Sequence, residues 1–295
     1  MKKIVLAGGT GFIGKFLEER FIREGYEVLI ISRNKAHIQW DDENGLIAAL
    51  NGADILINLA GKSVNCRYNK KNKEAILVSR TGTTNKLGNA VLKCSTPPLL
   101  WINSATATIY RHAEDRPMTE DGGEIGKGFS VEVAKAWEKS FFDFVLPKTR
   151  QVAVRMAIVL GKAGGVIIPM VRLTKFGLGG RQGKGTQMFS WIHIEDVFRI
   201  IQFIAEKKET TGIYNCSAPN PVTNKELMKE LRKTLNIPIG LPAPVWLLKK
   251  GAVIIKTETE LILKSRWVIP QRLKEDGYTF KFPFLEQALN DILKK

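Results

Sequence analysis

Sulfur and imidazole are scarce in this chain. Its cysteines are Cys66, Cys94 and Cys216, with no CxxC pair and no zinc-type spacing. An odd, scattered set of thiols argues against a disulfide framework and fits a reducing compartment with buried free thiols. The histidines, His37, His112 and His193, stand far apart, so no metal site is expected. Long apolar runs are missing as well. MKKIVLAGG has no apolar signal core before its glycines, and the apolar stretch VWLLKKGAVIIK is interrupted by lysines, so nothing is expected to span a membrane. The expectation is a cytoplasmic protein with no membrane partner.

Acid is the third deficit. Asp and Glu number 29 against 45 Lys and Arg, a net charge of +16. Such an excess can attract nucleic acid, an anionic membrane or a phosphorylated ligand. Lysines outnumber arginines 30 to 15, however, and are scattered over expected helix surfaces. No basic run is interleaved with aromatics in the way a nucleic-acid surface requires, so no nucleic-acid partner is expected. What clustering exists is expected at the mouth of a phosphate-binding site, around Arg33, Arg80 and Arg111.

That site is written into the first 34 residues. KKIVLAGGTGFIGKFLEERFIREGYEVLIISRN reads as strand, glycine turn, helix and strand. IVLA and YEVLII are short β runs, while Phe12, Ile13, Phe16, Leu17 and Phe21 recur at helical spacing. Gly8, Gly11 and Gly14 fall between the first strand and the helix. The first permits a tight turn, the second lets backbone approach a pyrophosphate, and the third lets helix and strand pack closely. The helix N-terminus then offers free N–H groups to the anion, and Thr10, Phe12 and Ile13 complete the expected cofactor contacts. At the end of the second strand an NAD site would carry Asp or Glu to hold the ribose hydroxyls. Ser32 and Arg33 stand there instead, and a hydroxyl and a guanidinium suit a 2′-phosphate. The cofactor expected is NADP(H). The competing reading of Arg33 is a solvated loop residue.

GADILINLAG supplies a third strand ending at Leu59, Ala60 and Gly61, small enough to let a cofactor cross the strand ends. A helix follows over about 72–92, then a strand from about Leu99 running into a hydroxyl-rich turn, then a fifth strand in QVAVRMAIVLG. The alternation predicts a Rossmann-like, doubly wound parallel α/β sheet. Residues 1–160 form the expected nucleotide-binding domain, completed by about 188–217. Residues 161–295 form a smaller, mostly helical substrate region, because long glycine-rich stretches beside a regular sheet usually build pockets. Thr223 and Glu226 make a capping box at a clear helix start.

Several segments, AGGTGFIG, NLAG, NSATATIY, RMAIVLG and WIHIEDV, resemble the motifs of the extended short-chain dehydrogenase/reductase superfamily. SRN, GLGGRQGKGTQMFSWIHIEDV and SRWVIPQRLKEDGYTFKFPFLEQAL are similar to one branch, the "epimerase family" proteins, which carry a C-terminal domain of undefined function, matched here by about 240–293. The resemblance implies NADP(H) on the glycine turn, Arg80 near the cofactor, and Thr106 orienting a substrate oxygen. It also implies a tyrosine–lysine pair on the helix near residue 133, and this chain has none. Val133 and Trp137, or Glu132 and Ala136 one residue earlier, occupy those places, and no YxxxK occurs anywhere.

An unassisted tyrosine has a pKa near 10, so its phenolate costs about 4 kcal/mol at neutral pH. Oxidising an alcohol needs that base, whereas reducing a carbonyl needs only an acid. Reduction of a carbonyl compound or nucleotide-linked sugar is therefore expected over epimerisation, and an NADPH-binding regulator without turnover is the alternative. Tyr110 is the candidate substitute acid beside Thr106, with structural packing as its other reading. Val133 and Trp137 either wall the nicotinamide pocket or join the core with Phe141 and Phe144. Glu132 and Glu138 are expected in solvent, and Arg111 either rims the pocket or faces water. Arg155 either binds an anionic substrate or forms an ion pair. His193 is expected to hold a strand–helix corner and Asp196 to cap the following helix.

Overall fold

In the computed structural model residues 2–254, 258 and 260–294 are described. Strand β1 (Lys3–Ala7), helix α1 (Phe12–Arg23) and strand β2 (Glu27–Ser32) form the expected βαβ unit. The nucleotide-binding half continues through β3 (Ile38–Gln39), α2 (Glu43–Leu50), β4 (Ile55–Asn58), α3 (Lys70–Lys93), β5 (Leu100–Thr106), α4 (Phe129–Phe142) and β6 (Arg150–Met156). Then come β7 (Ile158–Leu160), α5 (Ile167–Leu173), β8 (Met188–Phe189), β9 (Trp191–His193), α6 (Ile194–Glu206), β10 (Gly212–Cys216), β11 (Val222–Thr223) and α7 (Asn224–Thr234). Helices α8 (Val245–Ile254), α9 (Glu260–Leu263), α10 (Gln271–Glu275) and α11 (Leu285–Lys294) finish the chain. None of the described helices is long and apolar enough to cross a membrane. Residues 255 and 256 of VWLLKKGAVIIK lie outside the described residues.

Seven strands make one parallel sheet in the order β10-β6-β5-β4-β1-β2-β3. The apolar runs of β1 and β4 are buried nearly end to end, as a sheet covered on both faces requires. On one face Leu17 and Phe21 of α1 meet Val197, Phe198 and Ile201 of α6. On the other, Leu50 of α2, Leu87 and Val91 of α3 and Phe141 of α4 close over Val5, Leu56 and Trp101. Each such side chain contributes roughly 1.5–3 kcal/mol on burial. QVAVRMAIVLG is two strands rather than one. The Ala157 N–H still bonds Cys216 of β10, but Ile158 turns to Ser190, and β7 leaves the sheet to pair with β9. A third apolar cluster then joins Leu160 and Trp191 to Leu227 of α7 and Leu289 of α11. Cys216 is buried as expected of a free thiol, while Cys66 and Cys94 are half-buried.

The corner at β9–α6 corrects one expectation. His193, not Asp196, caps α6: its Nδ1 accepts the Glu195 N–H at 3.1 Å. Asp196 is fully buried and accepts from the Tyr278 hydroxyl and the Lys281 and Phe282 N–H groups, at 2.8–2.9 Å. It therefore anchors the C-terminal tail to the sheet. Burial pulls the His193 imidazole from 6.5 down to about 4, against the opposing pull of the Asp291 and Asp196 carboxylates. The fold thus excludes a proton that the unfolded chain binds below pH 6.5. Stability is complete above that pH and drains as pH falls to about 4, by about 1.4 kcal/mol per pH unit at most. Asn at this position keeps a capping acceptor but does not titrate. Urea unfolding of His193→Asn should lose much of the wild-type slope between pH 6.5 and 4; an unchanged slope would refute this account.

Candidate functional site

The glycine turn is shaped by two close approaches and one open position. Gly8 is left-handed (φ +78°), and a Cβ there would fall 2.7 Å from the Ala60 backbone. A Cβ on Gly14 would fall 2.3 Å from the Gly9 carbonyl oxygen. At Gly11 the space is open, the nearest atom being 4.0 Å away. Gly11 is also the N-cap of α1, with no capping side chain and no acid in the first turn. The helix N-terminus therefore presents backbone N–H groups to open space, the arrangement an anion occupies.

Above it lies a cleft of about 740 Å³, lined by Gly8, Thr10, Gly11, Ser32, Arg33, Leu59, Ala60 and Gly61. Phe12, Ile13 and Gly14 do not line it with side chains. Phe12 packs against Gly161 and Gly164, where an added Cβ would strike its ring at 2.6–2.8 Å, and Ile13 packs on the core. Ser32 is buried, its hydroxyl bonded to His37 Nδ1 at 2.9 Å while accepting the Asn34 N–H. It shapes the loop that carries Arg33, which is exposed and has no ion-pair partner among the described residues. Lys62 and Lys86 add two further cations, with Lys86 held by the Trp40 carbonyl at 2.8 Å. Among the described residues no carboxylate lines the cleft. Trp40, Lys62 and Lys86 were missed from sequence. Lys86 had a signal, since Ser79, Thr83 and Lys86 share one face of α3 at helical spacing.

Behind the cleft a buried network holds the β4 end. Asn58 Nδ2 donates to Asn103 Oδ1 (2.7 Å) and Thr84 Oγ1 (3.1 Å), Asn58 Oδ1 accepts the Ala60 N–H, and Trp137 Nε1 donates to Thr84 Oγ1. Val133 and Trp137 are both buried. Arg80 lies across the Trp137 ring at 5.1 Å, donating to the carbonyls of Lys62 and Ile76. It braces the Gly61 loop from behind rather than lining the cleft.

The candidate acid Tyr110 takes its structural reading. It is buried, donates to Asn215 Oδ1 at 2.9 Å and accepts from Arg155 Nη1 at 2.8 Å. Arg155 takes the ion-pair reading, gripping Glu138 through Nε and Nη2 at 2.7 and 2.8 Å. Glu138 is thus a buried partner and not a solvated residue. A guanidinium on a sheet strand needs such a partner in the facing helix. Arg111 pairs with Asp115 and Glu124, away from the cleft, while Glu132 faces solvent beside Lys135.

Thr106 ends β5, half-buried, its hydroxyl accepting the Thr108 N–H. The turn that follows it meets, at Thr108, a cluster the sequence did not reveal, because its members come from three distant segments. The Tyr68 hydroxyl, on the loop before α3, bonds the Ser130 side chain at the start of α4. Ser130 Oγ donates to Glu260 Oε2 at 3.2 Å. Lys264 Nζ is 3.9 Å from Glu260 and donates to the Thr108 carbonyl at 2.8 Å, and Arg266 Nε donates to the Thr108 hydroxyl at 3.3 Å. Burial pushes the Tyr68 phenol above its ordinary value, so it holds its proton at neutral pH.

Residues 4–130 match the family model described as the NAD dependent epimerase/dehydratase family, and residues 243–292 match a domain of unknown function, DUF1731. The chain is 32% identical to the epimerase family protein YfhF of Bacillus subtilis, over 98% of this chain and 97% of that protein. A crystal structure of the human epimerase family protein SDR39U1 (isoform 2) with NADPH superposes with a TM-score of 0.90, at 32% identity over 99% of both chains. This chain belongs to the epimerase family. A nucleoside-diphosphate sugar epimerase from Corynebacterium glutamicum superposes with a TM-score of 0.80 at 28% identity, over 99% of this chain and 58% of that one.

Within this family member, Tyr110→Phe tests the structural assignment. The change leaves Asn215 and Arg155 short of one partner each and should cost about 1–2 kcal/mol in urea unfolding. NADPH affinity by calorimetry should stay within about twofold, because Tyr110 does not line the cleft. A large loss of affinity at unchanged stability would refute it.

Proposed function

We propose that this protein is an NADP(H)-dependent oxidoreductase that reduces a carbonyl group on a small molecule. The observation that carries the cofactor half is the cleft lining: Arg33, Lys62 and Lys86, with no carboxylate among the described residues. A nicotinamide dinucleotide with a 2′-phosphate brings an extra dianion, which this lining suits and which an acid at the end of β2 would repel. Gly8, Thr10 and Gly11 with the N–H groups of Phe12, Ile13 and Gly14 would hold the pyrophosphate. Ser32 and Arg33 would hold the phosphate end. Leu59, Ala60 and Gly61, braced by Arg80, would form the floor. The crystal structure of human SDR39U1 with NADPH supports this choice.

Bound NADPH supplies a hydride; the protein must then supply a proton to the developing alkoxide. Thr106 would orient the carbonyl oxygen, and Tyr68 would donate the proton. Ser130 and Glu260 would hold its hydroxyl in place. A phenol whose pKa is raised by burial is a poor base but remains protonated and able to donate. That asymmetry supports reduction over the alcohol oxidation with which an epimerase must begin. The second reading, an NADPH-binding protein without turnover, is favoured by the buried, apolar Val133 and Trp137 where a catalytic pair is absent.

Two measurements separate these readings. Calorimetry should show NADPH binding at least about tenfold tighter than NADH, with Arg33→Ala removing most of the gap; equal affinities would sink the cofactor assignment. A carbonyl panel followed by NADPH absorbance should give turnover that falls about 100-fold in Tyr68→Phe, with NADPH affinity unchanged. Tight NADPH binding without oxidation by any carbonyl compound would favour the silent reading, and full activity in Tyr68→Phe would remove Tyr68 as donor.

A further inference from the structure

The +16 charge is not explained by the cofactor cleft. Two long stretches of the chain, residues 144–194 and 231–257, contain neither Asp nor Glu. The fold joins parts of them side by side: Leu241 exchanges backbone hydrogen bonds with Gly177 and Gly180, and Ala243 with Arg181 and Gly183. The joined segments are also where large apolar side chains stand in solvent. Phe176 is 82% exposed, Ile239 70%, Trp246 62% and Leu241 58%, with Leu173 and Leu178 flanking them. Gly177 at φ +78° ends the turn after α5 and leaves Phe176 at its tip. Arg172, Lys175, Arg181, Lys184 and Lys250 are exposed around this surface. None of the five forms an ion pair among the described residues, and the Lys250 ammonium lies 5.5 Å over the Trp246 ring.

Projecting aromatic and aliphatic side chains ringed by cations, with no acid in the same segments, match one kind of surface: a bilayer interface with anionic headgroups. Apolar tips enter the acyl boundary while lysines and arginines meet the phosphates, and an aromatic beside an ammonium sits well at headgroup level. A second copy of this chain is a poor occupant, because a twofold contact would set the same cationic rim against itself. We propose that the face built from residues 172–184 and 239–250 docks reversibly on anionic membrane surfaces. The inference does not rest on the cofactor reading. It departs from the expectation of no membrane partner, which rested on the absence of a spanning run, and surface adsorption needs none.

Co-sedimentation of the full chain with vesicles tests it. The protein should pellet with phosphatidylcholine vesicles containing about one-third phosphatidylglycerol and stay in solution with phosphatidylcholine alone. Raising the salt from about 0.1 to 0.5 M should weaken binding at least about fivefold. The double substitution Phe176→Ala with Trp246→Ala removes only exposed groups, so its circular dichroism and NADPH affinity should be unchanged while vesicle affinity drops at least about tenfold. Absence of binding to the anionic vesicles, or undiminished binding by the double variant, would overturn the proposal. So would a concentration-dependent dimer in analytical ultracentrifugation that the double variant abolishes, since that would assign the face to a second copy.

Discussion

The contact between Gly14 and the carbonyl of Gly9 sets much of the site. With a Cβ position only 2.3 Å from that oxygen, α1 sits against the glycine turn at a separation no side chain allows. Its N-terminus is thereby held at the edge of β1, beside the end of β4, and its unsatisfied N–H groups open on the cleft. Gly8 makes the matching approach to Ala60. Without these contacts the positive helix end would be displaced from the strand ends, and the cations gathered around Arg33 would no longer share a cleft with it. The lining of the cleft then chooses among nucleotides, but only because the glycines have fixed where phosphates can lie.

Tyr110 and Arg155, which the sequence offers as candidate site residues, are bonded into the core. Tyr110, Arg155, Glu138 and Asn215 form one buried set between β6, α4 and β10. Removing any one of them leaves the others desolvated and short of a partner, which is how a few hydrogen bonds can fix the angle of α4 on the sheet. That angle matters at the other side of α4, where Trp137 joins Thr84 and Asn58 under the cleft and Ser130 reaches Tyr68. The helix that would carry a tyrosine–lysine pair in the wider superfamily serves here as a bracket between two polar networks.

The parallel sheet, the βαβ unit and the glycine turn were legible because each depends on a local pattern: apolar runs of strand length, helical spacing, glycines at fixed intervals. The Thr223–Glu226 capping box was legible for the same reason. The division of QVAVRMAIVLG into β6 and β7 was not, since both halves are equally apolar and only the competing partner β9 separates them. Asp196 was misread because a first-turn acid suits a cap by propensity, whereas His193 supplies the cap and the tail claims the carboxylate. The part of the cleft at the glycine turn and the strand ends was read, but the part built by Trp40, the Lys62 loop and the face of α3 was not. The Tyr68–Ser130–Glu260 cluster was hidden, because its members lie 62 and 130 residues apart and no spacing rule links them.

The C-terminal segment is therefore more than a cover for the pocket. Through Asp196 it is tied to α6, through Val268 and Arg266 to Ser190, through Glu260 to Ser130 of α4, and through Lys264 and Arg266 to the turn after β5. A polar cluster completed by a late segment cannot form before that segment docks, so the sheet alone would hold a nucleotide cleft but not the groups that meet Thr108. The same segment carries Trp246 and Lys250 on the acid-free face. Docking of this one stretch thus links the interior cluster to the exposed basic surface, and any change that loosens the Asp196 anchor should be felt at both.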